Sequence, residues 1–153
     1  MTNNDILRKL RYTFDITDDQ MIKHFANAGK EVSRSEISNW MKKDDDPAYI
    51  NLVDKNLSYF LNGFIIHRRG KKEGPLPVAE SKINNNIILR KLKIALDLKD
   101  DEILELLSYA DFRLSRHELS AFFRKPTQSK FRKCKDQVMR NFLHGVQIGF
   151  KGD

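Results

Sequence analysis

An all-α fold built from one helical unit used twice is what this sequence predicts, and two observations carry that reading. Apolar residues recur at helical spacing and no strand-type alternation appears, and the chain aligns with itself at an offset of 82 residues without a gap. NNDILRKLR at Asn3 to Arg11 meets NNIILRKLK at Asn85 to Lys93, VSRSEISNWMKK at Val32 to Lys43 meets LSRHELSAFFRK at Leu114 to Lys125, and YFLNG at Tyr59 to Gly63 meets NFLHG at Asn141 to Gly145. From Asn3 to Gly70, 22 of 68 positions are identical, enough to require one fold for both copies. The rest mostly exchange like for like, as Trp40 for Phe122, Tyr49 for Phe131 and Leu57 for Met139. The expected organisation is a first helical repeat over 1–70, a linker over 71–83 and a second helical repeat over 84–153, the copies packed about a pseudo-two-fold axis. The linker reading rests on GKKEGPLPVAESK, Gly70 to Lys82, whose two Gly and two Pro interrupt helix and strand alike. It is expected to join the halves and belong to neither.

Each copy reads as four helices. Ile6, Leu7, Leu10 and Phe14 make an apolar stripe on the first. Thr17 and Gln20 form a capping box, in which the Thr oxygen accepts from the third backbone N–H and the Gln side chain reaches back. A second helix starts there, buries Met21, Ile22 and Phe25, and ends at Gly29. Ser33 and Glu36 repeat the device, as do Ser115 and Glu118, and start a third helix with Ile37, Trp40 and Met41 on one face. Asp46-Pro47 reads as a cap followed by a first-turn proline, so the fourth helix is expected to begin there and to carry Tyr49, Val53, Leu57, Phe60, Leu61 and Phe64. Gly63 and Gly145 interrupt that helix at a cost of about 1 kcal/mol each relative to alanine. Close backbone approach where helices cross would explain them, with a hinge or ligand contact as the alternative.

Composition narrows the function classes. The chain has 153 residues, 40% hydrophobic and 32% charged, which excludes disorder and any membrane span of about 20 apolar residues. The net charge of +7 favours polyanionic or acidic partners. A single Cys134 excludes an intramolecular disulfide, and MTNNDILRKLR lacks the apolar core of a secretory signal, so a cytoplasmic setting is expected.

Through NNDILRKLR, SRSEISNWMKK and YFLNGFIIHRRG the chain resembles, over its whole length, the YehS-like family of small bacterial proteins, a duplicated domain of unknown function. That resemblance implies the duplication and a bacterial cytoplasmic setting, and assigns no chemistry to any residue. A second resemblance is to the helix-turn-helix of Cro and repressor-type DNA-binding domains. The matching residues are Gly29, Val32, Ser33, Ile37 and Trp40 after the helix at Asp18 to Ala28, with Lys30 and Glu31 as two additional turn residues. The second copy keeps Leu114, Ser115, Leu119 and Phe122 and has Asp111 in place of the glycine. This resemblance implies helix-turn-helix-like second and third helices and a nucleic-acid partner.

If the third helix reads bases, its outward residues are Ser35, Asn39 and Lys42, with His117, Ala121 and Arg124 in the second copy. Such side chains suit base edges, and a plain solvated face is the competing reading. Charge separates the copies more sharply. Residues 1–70 carry net +1 and residues 84–153 net +5. Arg124, Lys125, Lys130, Arg132, Lys133 and Lys135 are six bases in twelve residues without an acid, a candidate phosphate-binding edge. The aligned stretch of the first copy opposes Lys42 and Lys43 with Asp44, Asp45 and Asp46. Arg8 and Arg90, Arg34 and Arg116, Asp54 and Asp136 are identical between copies, which favours structural ion pairs or caps over binding.

Catalytic and metal motifs are missing. His24, His67, His117 and His144 lack ligand spacing, one cysteine cannot build a zinc site, and no phosphate-cradling or nucleophile-elbow motif occurs. Cys134, beside Phe131 and Val138, reads as a buried structural thiol. The sequence therefore points to a non-enzymatic protein with no cofactor, no metal and no membrane association, binding nucleic acid through the helix-turn-helix-like segments and the basic edge. The alternative is a protein-protein interaction module using the Asp44 to Asp46 edge or the long-helix crossing.

Overall fold

A computed structural model describes residues 1–153 as eight α-helices without a strand. They are α1 (Asn3–Thr13), α2 (Asp18–Asn27), α3 (Arg34–Met41), α4 (Asp54–Arg69), α5 (Asn85–Ala95), α6 (Asp100–Tyr109), α7 (Arg116–Phe122) and α8 (Asp136–Lys151). The chain divides into two compact units, Met1–Ile83 and Asn84–Asp153, each with four helices in the same order. No helix is long and apolar enough to cross a membrane.

In the first unit, α2 starts at the Thr17–Gln20 capping box and α3 at the Ser33–Glu36 box. A third box, Thr2–Asp5, starts α1. Ile6, Leu7 and Leu10 of α1, Met21 and Phe25 of α2, Ile37 and Trp40 of α3, and Leu57, Phe60, Leu61 and Phe64 of α4 are buried together. The Phe25 ring lies 5.5 Å from Trp40 and 5.6 Å from Phe60, distances at which aromatic pairs add to area burial. The second unit repeats the core with Ile88, Leu89, Leu92, Ile103, Leu107, Leu119, Phe122, Met139, Phe142 and Leu143.

The glycines of the fourth helices mark close backbone crossings. A Cβ on Gly63 would stand 1.6 Å from the His24 carbonyl oxygen of α2, and one on Gly145 would stand 1.9 Å from the Leu106 oxygen of α6. No side chain fits either gap, so close approach, of the two explanations, is the one the geometry supports. The turn after the second helix is also shared. Gly29 has φ +90°, and Asp111, its counterpart, keeps the left-handed conformation at φ +55°. Asp is among the few non-glycine residues that tolerate that region.

Two expectations are corrected. The fourth helix begins at Asp54, not at Asp46-Pro47. The Asp46 carboxylate accepts from Ala48 N–H at 2.9 Å and its N–H donates to the Lys43 carbonyl at 3.0 Å, which makes a turn. Ile50 N–H then donates to the Asn39 carbonyl, and residues 50–52 run extended under the side chain of Asn4, so Tyr49 and Val53 precede the helix. Second, residues 71–83 do not stand apart from both repeats. Ala79 is buried, Glu80 N–H donates to Ser58 Oγ of α4, and Ile83 N–H donates to the Asp54 carboxylate, so the segment folds with the first unit. Ala79, just past the last breaker, gives it an apolar residue to bury.

Candidate nucleic-acid interface

The basic stretch of the second repeat lies in the loop between α7 and α8, and its backbone is held from below by α5. Asn86 is 5% exposed; its Nδ2 donates to the carbonyls of Phe122 (3.0 Å) and Arg132 (2.8 Å), and its Oδ1 accepts from Cys134 N–H (2.9 Å). Neighbouring Asn85 donates to the Cys134 carbonyl at 3.0 Å and to the Asp136 carboxylate at 2.8 Å. The latter bond holds the Asp136 carboxyl below its ordinary value. Upstream, Lys125 N–H donates to Gln128 Oε1 and Phe131 N–H to the Gln128 carbonyl, closing successive turns. Arg132 N–H donates to the Ala121 carbonyl. With Cys134 5% exposed, the loop is anchored at its centre and at both ends.

From this anchored backbone Lys125, Lys130, Arg132, Lys133 and Lys135 are all exposed, while Phe131 is half-buried. The Arg132 guanidinium donates to the Phe131 carbonyl at 3.0 Å. Fixed backbone with exposed basic side chains is an arrangement suited to phosphate contacts, because little beyond side-chain entropy is lost on binding. Arg124 is half-buried, and its Nε is enclosed without a hydrogen-bond partner. Burial, with a smaller effect from the Asp136 carboxylate, pushes the Cys134 thiol up to about 12, which keeps it protonated and unreactive.

The third-helix candidates are less uniform. Ser35 and His117 are exposed, but Asn39 and Lys42 are half-buried, and Lys42 Nζ donates to Ser38 Oγ at 2.9 Å. The Lys42 carbonyl accepts from the Arg8 guanidinium at 3.0 Å. Ala121, expected to face outward, is 6% exposed, since the Arg132 segment folds over it. The structure thus gathers Arg124, Lys125, Lys130, Arg132, Lys133 and Lys135 in one loop following the helix that carries His117. Ser35, Asn39 and Lys42 belong to the other unit.

Several residues identical between copies make ion pairs within their own unit. Arg34 bridges to Asp18 (3.4 Å) and to Asp19, and Arg116 bridges to Asp101, tying the third helix of each unit to the start of its second. Arg11 with Asp18 (2.7 Å) and Lys93 with Asp100 (2.6 Å) repeat a further pair. These pairs are at least partly exposed, and each contributes at most about 1 kcal/mol. What sequence reasoning missed is the asparagine clamp. Asn4 is fully buried and binds the Trp40 and Ile50 carbonyls, Leu52 N–H and Tyr49 OH. The signal was available: an Asn on the Leu7 face of α1, repeated as Asn86 on the Leu89 face of α5.

One histidine differs in kind. His24 is 3% exposed among Phe60, Phe64 and His67, with Nδ1 unpartnered. Burial, and then the neighbouring His67, push its pKa down to about 4, so it is neutral at physiological pH. Its counterpart is Leu106. No group of three or more His, Cys, Asp or Glu that could hold a metal ion is present.

No solved structure matches this chain. It is 41% identical to the uncharacterized protein YehS of Escherichia coli strain K12 over 147 residues, covering 95% of this chain and 94% of that protein. A family model described as protein of unknown function, DUF1456, matches twice, over residues 3–70 and 85–152, which are the two repeats that the asparagine clamp and the glycine crossings define. With both halves matched and the relative aligned over nearly the full length, the chain belongs to the DUF1456 family.

Proposed function

We propose that this chain is a non-enzymatic cytoplasmic nucleic-acid-binding protein whose second repeat carries the phosphate contacts. The observation behind this reading is the α7–α8 loop. Five exposed bases project from a backbone anchored by Asn85 and Asn86, with no acidic residue between Arg124 and Lys135. Lys93 and Arg116 of this repeat are engaged in ion pairs outside the loop, with Asp100 and Asp101. Phosphate contacts of this kind supply affinity without sequence preference. The half-burial of Asn39 and Lys42 and the burial of Ala121 shift the weight from a base-reading helix to the loop, with His117 the exposed candidate on α7 of the same repeat.

A protein-interaction module is the second reading. The aligned loop of the first repeat offers Asp44, Asp45 and Asp46 together with Ile50, 48% exposed, and Val53, 52% exposed, a mixed acidic and apolar edge suited to a basic protein surface. Fluorescence anisotropy with labelled duplex, hairpin and single-stranded probes separates the two. Under the nucleic-acid reading, reversal of Lys130, Arg132, Lys133 and Lys135 to Glu lowers the affinity and flattens its salt dependence, while Lys42 and Lys43 to Glu has a smaller effect. Absence of binding to every probe by the unmodified protein at micromolar concentration refutes it.

A further inference from the structure

The internal duplication shows what one surface of this fold can hold. In the first repeat the chain itself reaches the turn between α2 and α3: Leu76, 37% exposed, places its Cδ1 3.2 Å from the place a Gly29 Cβ would take. Prolines flank that leucine on both sides, and four residues on, Glu80 is fastened to α4, its N–H donating to Ser58 Oγ at 3.1 Å and its carboxylate accepting from the same hydroxyl. A Leu held between prolines and an acid four residues later thus make one extended, helix-free anchor.

The equivalent turn of the second repeat is an open groove of about 320 Å³, lined by Leu104, Ser108, Asp111, Phe112, Arg113 and Leu114. These are the counterparts of Ile22, Ala26, Gly29, Lys30, Glu31 and Val32. Asp111 keeps the left-handed backbone of Gly29, so the turn has the same shape. Four exchanges change the charge around the groove: Arg113 for Glu31 and Arg140 for Ser58 add positive charge, while Asp111 for Gly29 and Phe112 for Lys30 remove it, leaving the acid-receiving end the more basic. Arg113 stands where the first repeat has Glu31, and Arg140 stands exposed where Ser58 receives Glu80. Asp111 has a side chain where Gly29 has none, and half-buried Phe112 replaces Lys30 with apolar surface.

We infer that the groove at the α6–α7 turn docks an extended segment of a partner protein, with a proline-flanked leucine against Leu104 and Phe112 and an acidic residue about four positions later at Arg140 and Arg113. The first repeat supplies the template for the leucine, and the exchange of Ser58 for Arg140 and of Glu31 for Arg113 supplies the preference for an acid. A rigid, proline-containing segment also loses little entropy on docking. The inference does not depend on the nucleic-acid reading.

A synthetic peptide with the sequence of residues 73–82, EGPLPVAESK, is a suitable probe. Added to the full-length ¹⁵N-labelled protein, it should shift the backbone amides of residues 104–114 saturably at submillimolar concentration. Arg113→Glu with Arg140→Glu, both at exposed positions, should weaken binding at least ten-fold, as should a peptide with Lys in place of its Glu80. Absence of shifts in 104–114, shifts confined to the first repeat, or unaltered affinity in the Arg113/Arg140 variant would overturn the inference.

Discussion

Replacing Gly63 with alanine sets local helix propensity against packing, and the two predict opposite signs. In an isolated helix the change should stabilise by about 1 kcal/mol. Here the new Cβ would lie 1.6 Å from the His24 carbonyl oxygen and 2.5 Å from its carbon, about half a normal C···O contact. Both atoms belong to the α2 backbone, so α2 and α4 must separate. Overpacking costs about 1–3 kcal/mol where side chains can adjust and more where they cannot, so a net loss of about 3 kcal/mol or more is expected. Gly145→Ala should behave alike, its Cβ meeting the Leu106 oxygen at 1.9 Å. Gly149→Ala is the control, because the nearest atom is the Leu106 Cδ2, a side-chain end at 2.6 Å that can rotate away. There propensity and strain should cancel to within about 1 kcal/mol. Urea denaturation followed by the fluorescence of Trp40, the single tryptophan and part of the first-unit core, reads the Gly63 variant, and circular dichroism reads the others. A Gly63→Ala protein as stable as the parent, or more stable, would refute the close crossing.

Three further changes probe other parts of the fold. Below pH 6.5 the unfolded chain protonates His24 while the folded chain resists until about pH 4, so its contribution is complete above 6.5 and is lost as pH falls through that window, by up to about 3 kcal/mol. His24→Leu, the residue found at Leu106, should flatten urea midpoints between pH 4 and 6.5, and an unchanged slope would contradict the assignment. Asn86→Ala leaves the Phe122 and Arg132 carbonyls and Cys134 N–H without their partner and should cost about 3 kcal/mol in chemical denaturation; a loss under about 1 kcal/mol would mean that water replaces the clamp. Cys134 should react with iodoacetamide far more slowly in the native protein than in urea, and equal rates would show an accessible thiolate.

Local signals were the legible ones. The Thr17, Ser33 and Ser115 capping boxes and the turn at Gly29 place helix ends within a few residues, and the gapless offset of 82 transfers each assignment to the other copy. The start of α4 was not legible because Asp-Pro serves a turn as well as a helix start, and what decides between them is Asn4, 46 residues from Ile50 in the chain. The same long-range reason hid the place of the linker: glycine and proline report that a helix ends, whereas the contact of Leu76 at Gly29 and the bonds of Glu80 to Ser58 of α4 are set by the tertiary fold. Helical phase alone put Ala121 outside, since it takes no account of a loop returning to bond its carbonyl. At the candidate interface the basic residues could be read directly, whereas their rigid mounting was signalled only by an Asn repeated on the apolar faces of α1 and α5, a signal easily taken for ordinary helix-start residues.

The most direct test of the functional account is the salt dependence of duplex binding, measured by anisotropy for the unmodified protein and for the variant with Lys130, Arg132, Lys133 and Lys135 reversed to Glu. If these four side chains each neutralise a phosphate, the plot of log K against log salt should lose about 3.6 from its slope in the folded variant, at about 0.9 per contact. Parallel slopes for the two proteins, with the variant's fold confirmed by circular dichroism, would contradict the assignment of the α7–α8 loop as the phosphate-binding edge.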